Sequence, residues 1–84
     1  MSIEVKNKIV KKWLVNNGFY NIQETSNHYF IRADSINVRM LVIVQDKFEL
    51  KVEEVKKFAS SNNRQAWVAK VEEEDHRIKW EIVK

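Results

Sequence analysis

The apolar and polar residues of this chain follow a helical period first and a strand period later. In the first segment, apolar side chains recur at the spacing of one helix face: Val5, Ile9, Val10, Trp13 and Leu14. The opposite face is basic and carries Lys8, Lys11 and Lys12. This pattern predicts an amphipathic helix. The helix should end at Asn17-Gly18, because Gly and Asn tolerate the left-handed conformation that follows a last helical turn.

Five later segments have strand character, and one has helical character. We predict strands over residues 19–24, 29–33, 38–45, 66–69 and 76–83. Residues 41–44 and 66–69 are uninterrupted apolar runs, which are typical of central strands covered on both faces. Residues 52–61 predict a second helix, because apolar side chains recur there at helical spacing: Val52, Val55, Phe58 and Ala59.

The predicted order is αβββαββ, which indicates one α+β domain over residues 1–84. A helix between the two apolar strands makes those strands parallel neighbours, and hairpins make the other pairs antiparallel. The expected sheet is five-stranded and mixed, with residues from both helices and both central strands buried: Trp13, Ile43, Val55, Phe58 and Val68. The last strand carries outward charges, which are typical of an edge that avoids pairing with other chains: Arg77, Lys79 and Glu81.

The turn at residues 34–37 raises a question about charge. If Ala33 pairs with Val38 across this turn, Arg32 lies opposite Arg39 on one face of the hairpin. Like charges directly opposite each other are destabilising. We therefore expect compensation, either from a nearby carboxylate of Asp34 or Glu24 or from a bound phosphate. Solvated arginines with local acidic partners are the alternative.

Composition narrows the function classes only slightly. A formal net charge of +3 and a pI near 9.3 permit phosphate contacts with nucleic acid, and they equally suit an ordinary small protein. The chain has no Cys, which excludes disulfides and thiolate metal sites. We expect a cytoplasmic location and no membrane partner, because there is neither a signal-peptide core at the N-terminus nor a long apolar run.

Four segments carry a resemblance to a known family. Asn17-Gly18-Phe19-Tyr20 matches a Gly-aromatic entry to a first strand, and residues 41–45 match a motif strand that a helix (Phe58-Ala59) and a strand (66–69) follow. In this order the chain resembles the PD-(D/E)xK nuclease fold of restriction endonucleases and archaeal Holliday-junction resolvases. That resemblance implies two carboxylates that hold Mg²⁺ and a Lys beside the attacking water.

The motif positions of this chain carry different chemistry. On the motif strand, the resemblance puts Ile43 at the acidic position and Gln45 at the lysine position. Neither side chain can replace the missing group, which favours a non-catalytic relative. A literal match does exist: Asp34 upstream of Glu49-Leu50-Lys51. Glu-x-Lys also occurs at residues 4–6 and 54–56, so the pattern is weak.

The remaining candidates favour structural roles. His28 and His76 lack the spacing of a metal motif, so we interpret them as solvated. The tryptophans lie at inward positions and are expected in the core rather than in a base-stacking platform: Trp13, Trp67 and Trp80.

Three function hypotheses follow. The first is nucleic-acid association without catalysis, through basic residues of the hairpin and the first helix: Arg32, Arg39, Lys8, Lys11 and Lys12. The second is a protein-interaction module with no nucleic-acid role, for example a homodimer through the edge strand or an exposed helix face. The third is a metal-dependent nuclease that uses Asp34, Glu49 and Lys51. We expect no cofactor, and Mg²⁺ only if the third hypothesis holds.

Overall fold

The computed structural model describes residues 1–25, 29–47 and 51–84. The elements of these residues confirm the predicted order αβββαββ. The helices are α1 (Ile3–Asn16) and α2 (Val52–Ser61). The strands are β1 (Tyr20–Glu24), β2 (Phe30–Asp34), β3 (Arg39–Val44), β4 (Gln65–Val71) and β5 (Ile78–Ile82). Neither helix is long and apolar enough to cross a membrane.

The strands form one sheet in sequence order, β1-β2-β3-β4-β5. β3 and β4 are parallel, with Met40 opposite Gln65 and Val44 opposite Ala69, and all other pairs are antiparallel. The prediction of a mixed sheet with two parallel central strands is confirmed. A parallel pair requires a long crossover connection, since no tight turn can join the end of one strand to the start of its parallel neighbour, and α2 lies in that connection here.

The two helices cover opposite faces of the sheet. Alternate residues of β3 point to opposite sides, so Val42 and Val44 join the α1-side core while Leu41 and Ile43 join the α2-side core. The α1-side core also contains Val10, Leu14, Ile31, Ala33, Met40 and Ala69. The α2-side core also contains Val55, Ala59, Ala66 and Val68. The apolar run of β3 is therefore covered on both faces, as predicted.

The ends of α1 follow from its sequence. Ser2 accepts a hydrogen bond from the Val5 amide at 3.3 Å and caps the N-terminus. After the last turn, Gly18 takes a positive φ of 83°, which glycine adopts without strain. The buried face is centred on Val10 and Leu14 and includes Asn7, whereas Val5 is exposed. The sequence pattern placed the centre of this face too far toward Val5.

The tryptophans lie at the margin of the core, and Trp13, which was predicted to be buried, is only partly so. Trp13, Trp67 and Trp80 are half-buried and pack against the α1-side core. The rings of Trp13 and Trp80 lie 4.8 Å apart between centroids, which is within the range of a favourable aromatic pair.

Phe58 differs from its prediction, because it is 41% exposed. Val55 and Ala59 occupy the face of α2 that meets β3 and β4, so Phe58 points sideways, with its ring 6.0 Å from that of Phe30. A helix of 10 residues with this small contact face covers only the middle of the sheet. On the α2 side of β1 and β2, Phe30 packs against the margin of the core, and the remaining positions carry polar or charged residues.

Candidate basic site on the open sheet face

The hairpin of β2 and β3 has a different register from the one predicted. Ala33 lies opposite Met40, Arg32 opposite Leu41 and Asp34 opposite Arg39. The expected pairing of Ala33 with Val38, and with it the opposition of Arg32 and Arg39, is therefore wrong.

A tight loop sets the register. The Ser35 amide donates to the Val38 carbonyl at 2.8 Å, so only Ile36 and Asn37 lie outside the pairing. The Ser35 hydroxyl also accepts a hydrogen bond from the Val38 amide at 3.1 Å, a local interaction that Ser favours in turns. The four-residue turn inferred from the sequence was too long.

The correct register places a carboxylate opposite one arginine. Arg32 lies opposite Leu41, which belongs to the α2-side core, so Arg32 points to the α2 side of the sheet. Asp34 and Arg39 lie two residues along the same strands and point to the same side, which α2 covers only in part. We call this surface the open face and define it by Gln23, Phe30, Arg32, Asp34 and Arg39. Gln23 lies opposite Arg32 and accepts a hydrogen bond from its Nη2 atom at 3.1 Å.

Asp34 is held by a third arginine that the sequence did not indicate. Arg64 precedes β4, its side chain is only 7% exposed, and its Nη1 atom lies 2.8 Å from Asp34 Oδ1. The same nitrogen donates to the Met40 carbonyl at 3.0 Å, which fixes the guanidinium beneath the hairpin. In the sequence Arg64 follows a run of polar loop residues, where nothing distinguishes it from a solvated arginine.

A β-bulge brings a further donor to the same carboxylate. The register of β1 shifts between Tyr20 and Gln23, and Asn21 there has a positive φ of 52°. Such bulges redirect a side chain, and here Asn21 hydrogen-bonds to Asp34. Asn is one of the residue types that accept this conformation, which is the signal in the sequence that could have indicated the bulge.

The ionisation of Asp34 reflects these contacts. Burial raises its pKa, but the hydrogen bond and positive charge of Arg64, together with smaller contributions from Asn21 and Arg39, outweigh the effect of burial. The net result is a pKa below the ordinary aspartate value. Arg64 thus neutralises Asp34 at close range, whereas Arg39 lies farther away, with its Nε atom 3.9 Å from Asp34 Oδ1.

The open face therefore carries surplus positive charge. Arg39 is exposed and only distantly paired. Arg32 forms no ion pair within the part of the chain that the structure describes, and its buried Nε atom has no hydrogen-bond partner there. Two guanidinium groups on neighbouring strands are left without full compensation.

The lysines predicted to share this function lie on the other layer of the molecule. Lys8 and Lys12 are exposed on α1, and Lys11 pairs with Glu24 of β1 at 3.2 Å. α1 packs on the sheet face opposite the open face. The structure does not bring the two groups of basic residues together on one surface.

The residues of the nuclease hypothesis are also spread out. Asp34 lies beside the first residue of β3, whereas Lys51 follows its last residue and directly precedes α2. Because β3 has six residues at about 3.3 Å each, roughly 17 Å of strand separates the two ends. Glu49 lies outside the described residues. Over the described ranges, no three His, Cys, Asp or Glu side chains are grouped closely enough to hold a metal.

The two positions that resemble motif residues have structural contacts. Ile43 is fully buried in the α2-side core. The carbonyl of Gln45 accepts a hydrogen bond from Lys6 Nζ at 3.2 Å, and the same nitrogen lies 3.1 Å from Asp46 Oδ1. Lys6 thereby joins the start of α1 to the end of β3.

Acid should weaken the fold through both aspartates. The hydrogen bond from Lys6 lowers the pKa of Asp46, as Arg64 lowers that of Asp34. A carboxyl whose pKa is lowered in the folded state stabilises that state above its unfolded pKa of about 3.9, and this contribution is lost as pH falls through the lowered value. We expect urea midpoints to fall as pH drops below about 5.

Replacing both groups tests their share of this acid sensitivity. The Asp34→Asn, Asp46→Asn double variant should lose stability at neutral pH and should show a shallower decline between about pH 5 and 2 than the parent. Asp75→Asn, which removes a carboxylate at an exposed turn, is the matched control and should leave stability at neutral pH nearly unchanged. A double variant with the parental slope would contradict this assignment.

Comparison with models of known protein families finds no match for this chain, and comparison with curated proteins finds no relative.

Proposed function

We propose that this domain binds nucleic acid through the open face and does not cleave it. The supporting observation is the uneven charge balance of that face: Arg64 satisfies Asp34, which leaves Arg32 and Arg39 available to another anion. In the absence of a protein carboxylate, a phosphate is the anion that such a pair fits best. Guanidinium groups match phosphate oxygens with two parallel hydrogen bonds.

The arginines are arranged to reach a common phosphate or two neighbouring ones. Arg39 is diagonal to Arg32 across the β2–β3 pair, at a separation of about 7–8 Å between backbones. Gln23 holds one nitrogen of Arg32, which reduces the side-chain freedom lost on binding. A partly prearranged pair of this kind favours binding over two mobile surface side chains.

Aromatic rings flank the same face. Phe30 and Phe58 lie together on one side of Arg32, and the exposed Tyr20 lines a cleft with Asp34 and Arg39 on the other. Rings beside guanidinium groups are typical of surfaces that bind single strands, where bases stack and phosphates meet positive charge. We therefore expect a single strand to bind more tightly than a duplex.

Cleavage does not form part of this proposal. Arg64 occupies the carboxylate that a metal would need, and the positions that resemble the nuclease motif hold Ile43 and Gln45. Descent from the PD-(D/E)xK fold remains a proposal that the element order supports. Under that proposal, the open face is a nucleic-acid-binding surface that was retained after the catalytic residues were lost.

Replacing both arginines should weaken binding of every sequence about equally. Each lost phosphate contact should lower the salt dependence, with the slope for a single strand falling by about 0.7 per contact. We expect Arg32→Ala, Arg39→Ala to reduce affinity roughly tenfold or more at low salt. Fluorescence anisotropy with labelled single strands and duplexes of DNA and RNA, at two salt concentrations, measures both effects.

A matched variant distinguishes the two basic surfaces. Lys8→Ala, Lys12→Ala removes the same charge from the α1 layer and should weaken binding much less. Equal losses from both double variants would indicate attraction by net charge alone. Absence of binding by the parent at low salt would remove the proposal, and cleavage of the probes in Mg²⁺ that Asp34→Asn abolishes would replace it with the nuclease hypothesis.

A further inference from the structure

We infer that β5 is a self-complementary edge through which two copies of this chain associate as a symmetric antiparallel pair. β5 ends the sheet, and no other strand of the described residues pairs with its outer side. An open strand edge is a template for another strand. The hydrogen-bond pattern, the charges and the apolar side chains of β5 all favour one register of self-pairing.

The backbone pattern determines which groups of β5 are free. The Val83 amide donates to the Ala66 carbonyl at 2.9 Å, and the Arg77 carbonyl accepts from the Glu72 amide at 2.8 Å. Odd-numbered residues of β5 therefore direct their backbone groups to β4. In an antiparallel ladder the alternate residues direct theirs the other way, so the free groups belong to Ile78, Trp80 and Ile82.

A two-fold axis at Trp80 uses all of these groups. Trp80 then pairs with Trp80 of the second copy, and Ile78 pairs with Ile82 of the second copy in each direction. All three are hydrogen-bonded pairs in this register. The intervening pair joins Lys79 to Glu81 of the second copy as a non-hydrogen-bonded pair, in which opposing side chains lie closest.

The charges select this register among the alternatives. Shifting the pairing by two residues in either direction places Lys79 opposite its own copy or Glu81 opposite its own copy, which is repulsive. A shift by one residue would place charged side chains on the apolar face. The outward charges thus oppose most pairings, as the sequence pattern indicated, and permit one.

The apolar side of the edge also benefits from a second copy. Ile82 is exposed on the α1 side, while a groove of about 320 Å³ lies between α1 and β5, lined by Ile9, Lys12, Trp13, Asn16, His76 and Ile78. In the proposed register, Ile82 of the second copy lies beside Ile78 at the edge of this groove. The exposed Ile82 of each copy would be covered, because the two-fold axis repeats the contact.

The opposite edge of the sheet is less suited to pairing. β1 contains the bulge at Asn21, which interrupts its regular spacing. Bulges at sheet edges discourage strand addition. β5 is therefore the edge strand with regular spacing. In the proposed dimer the two β5 strands pair at the centre, and the bulged β1 strands lie at the two outer edges of the joined sheet.

Charge reversal tests the register directly. Sedimentation equilibrium over a range of concentrations should show a monomer–dimer equilibrium for the parent chain. Lys79→Glu and Glu81→Lys should each raise the dimer dissociation constant about tenfold or more, since both symmetric pairs become like-charged. Lys79 and Glu81 also pair within the chain, with Glu72 and Lys70, so circular dichroism of both variants should show the parental fold. An equimolar mixture of the two variants should regain association as a heterodimer, because one carries two acidic groups and the other two basic groups at positions 79 and 81.

Two controls keep the result specific. Glu74→Lys makes the same charge change at an exposed turn and should leave association unchanged. Ile82→Pro removes an outward amide without touching the β4 ladder, so it should abolish dimers while circular dichroism shows the parental fold. A parent that stays monomeric at every concentration, or dimers that persist in all three β5 variants, would overturn the inference.

Discussion

Replacing Ile43 with alanine is expected to lower the free energy of unfolding by about 2–5 kcal/mol, a large part of the stability of so small a domain. Ile43 is 0% exposed and lies between Phe30 of β2 and Val68 of β4. Truncation removes buried methyl groups and leaves a cavity that strands paired on both sides cannot close. Urea denaturation at neutral pH, with parent and variant compared at equal m-values, measures the loss.

The chain offers a control with the same chemical change. Ile36 is 90% exposed at the tip of the β2–β3 hairpin, so Ile36→Ala should alter stability by no more than about 0.5 kcal/mol. Comparable losses at both positions would mean that the α2-side core is not arranged as described. Ile43 also stands at the position where the nuclease resemblance puts an acidic residue. A large loss of unfolding free energy in Ile43→Ala would show that this position contributes to the packing of the core.

The fold was predictable because a few sequence signals were strong. The apolar runs of β3 and β4 could be satisfied only by cover on both faces, which requires a helix on each side and makes the two strands neighbours. The bounds of α2 matched the prediction at residues 52–61, and the polar run of residues 60–64 accounts for its end. These signals indicate which residues are buried, and the local period of apolar residues is enough to read them.

The details that failed depend on pairwise geometry. The hairpin register was set by the Ser35 hydroxyl and a two-residue loop, Ile36-Asn37, that lacks the glycine of common tight turns. Phe58 fits the helical period of α2, yet the helix meets the sheet through the smaller Val55 and Ala59. The period of apolar residues indicates which side of a helix faces the core, but it does not indicate how many residues on that side contact the sheet.

Only some residues of the candidate site could be predicted from the sequence. The sequence indicated Arg32 and Arg39 through a like-charge opposition that the observed register removes, and it indicated Asp34 both as a compensating carboxylate and as a candidate metal ligand. The residue that decides the charge balance is Arg64, which reaches Asp34 across 30 positions of sequence. A contact of this range leaves no local pattern, because it exists only after β4 has paired with β3.

Replacing Arg64 should destabilise the fold more than replacing an exposed arginine of this chain. Arg64→Met keeps an apolar stem of similar length but leaves the Asp34 carboxylate and the Met40 carbonyl without their shared donor. Removing one partner of a largely buried pair costs about 3–5 kcal/mol at full burial. Since Asp34 retains some exposure, we expect a loss of about 2–4 kcal/mol in chemical denaturation at pH 7.

Two comparisons identify the cause of that loss. Arg77→Met removes an arginine whose side chain is 83% exposed and pairs with Asp75 at 3.3 Å, so it should cost less than about 1 kcal/mol. In the Arg64→Met background, adding Asp34→Asn should restore part of the stability, because the uncompensated charge is removed. For the same reason the deficit of Arg64→Met should shrink as pH falls toward 4, where Asp34 without its arginine can take up a proton. A deficit that is constant with pH and unaffected by Asp34→Asn would show that Arg64 acts through packing instead of charge.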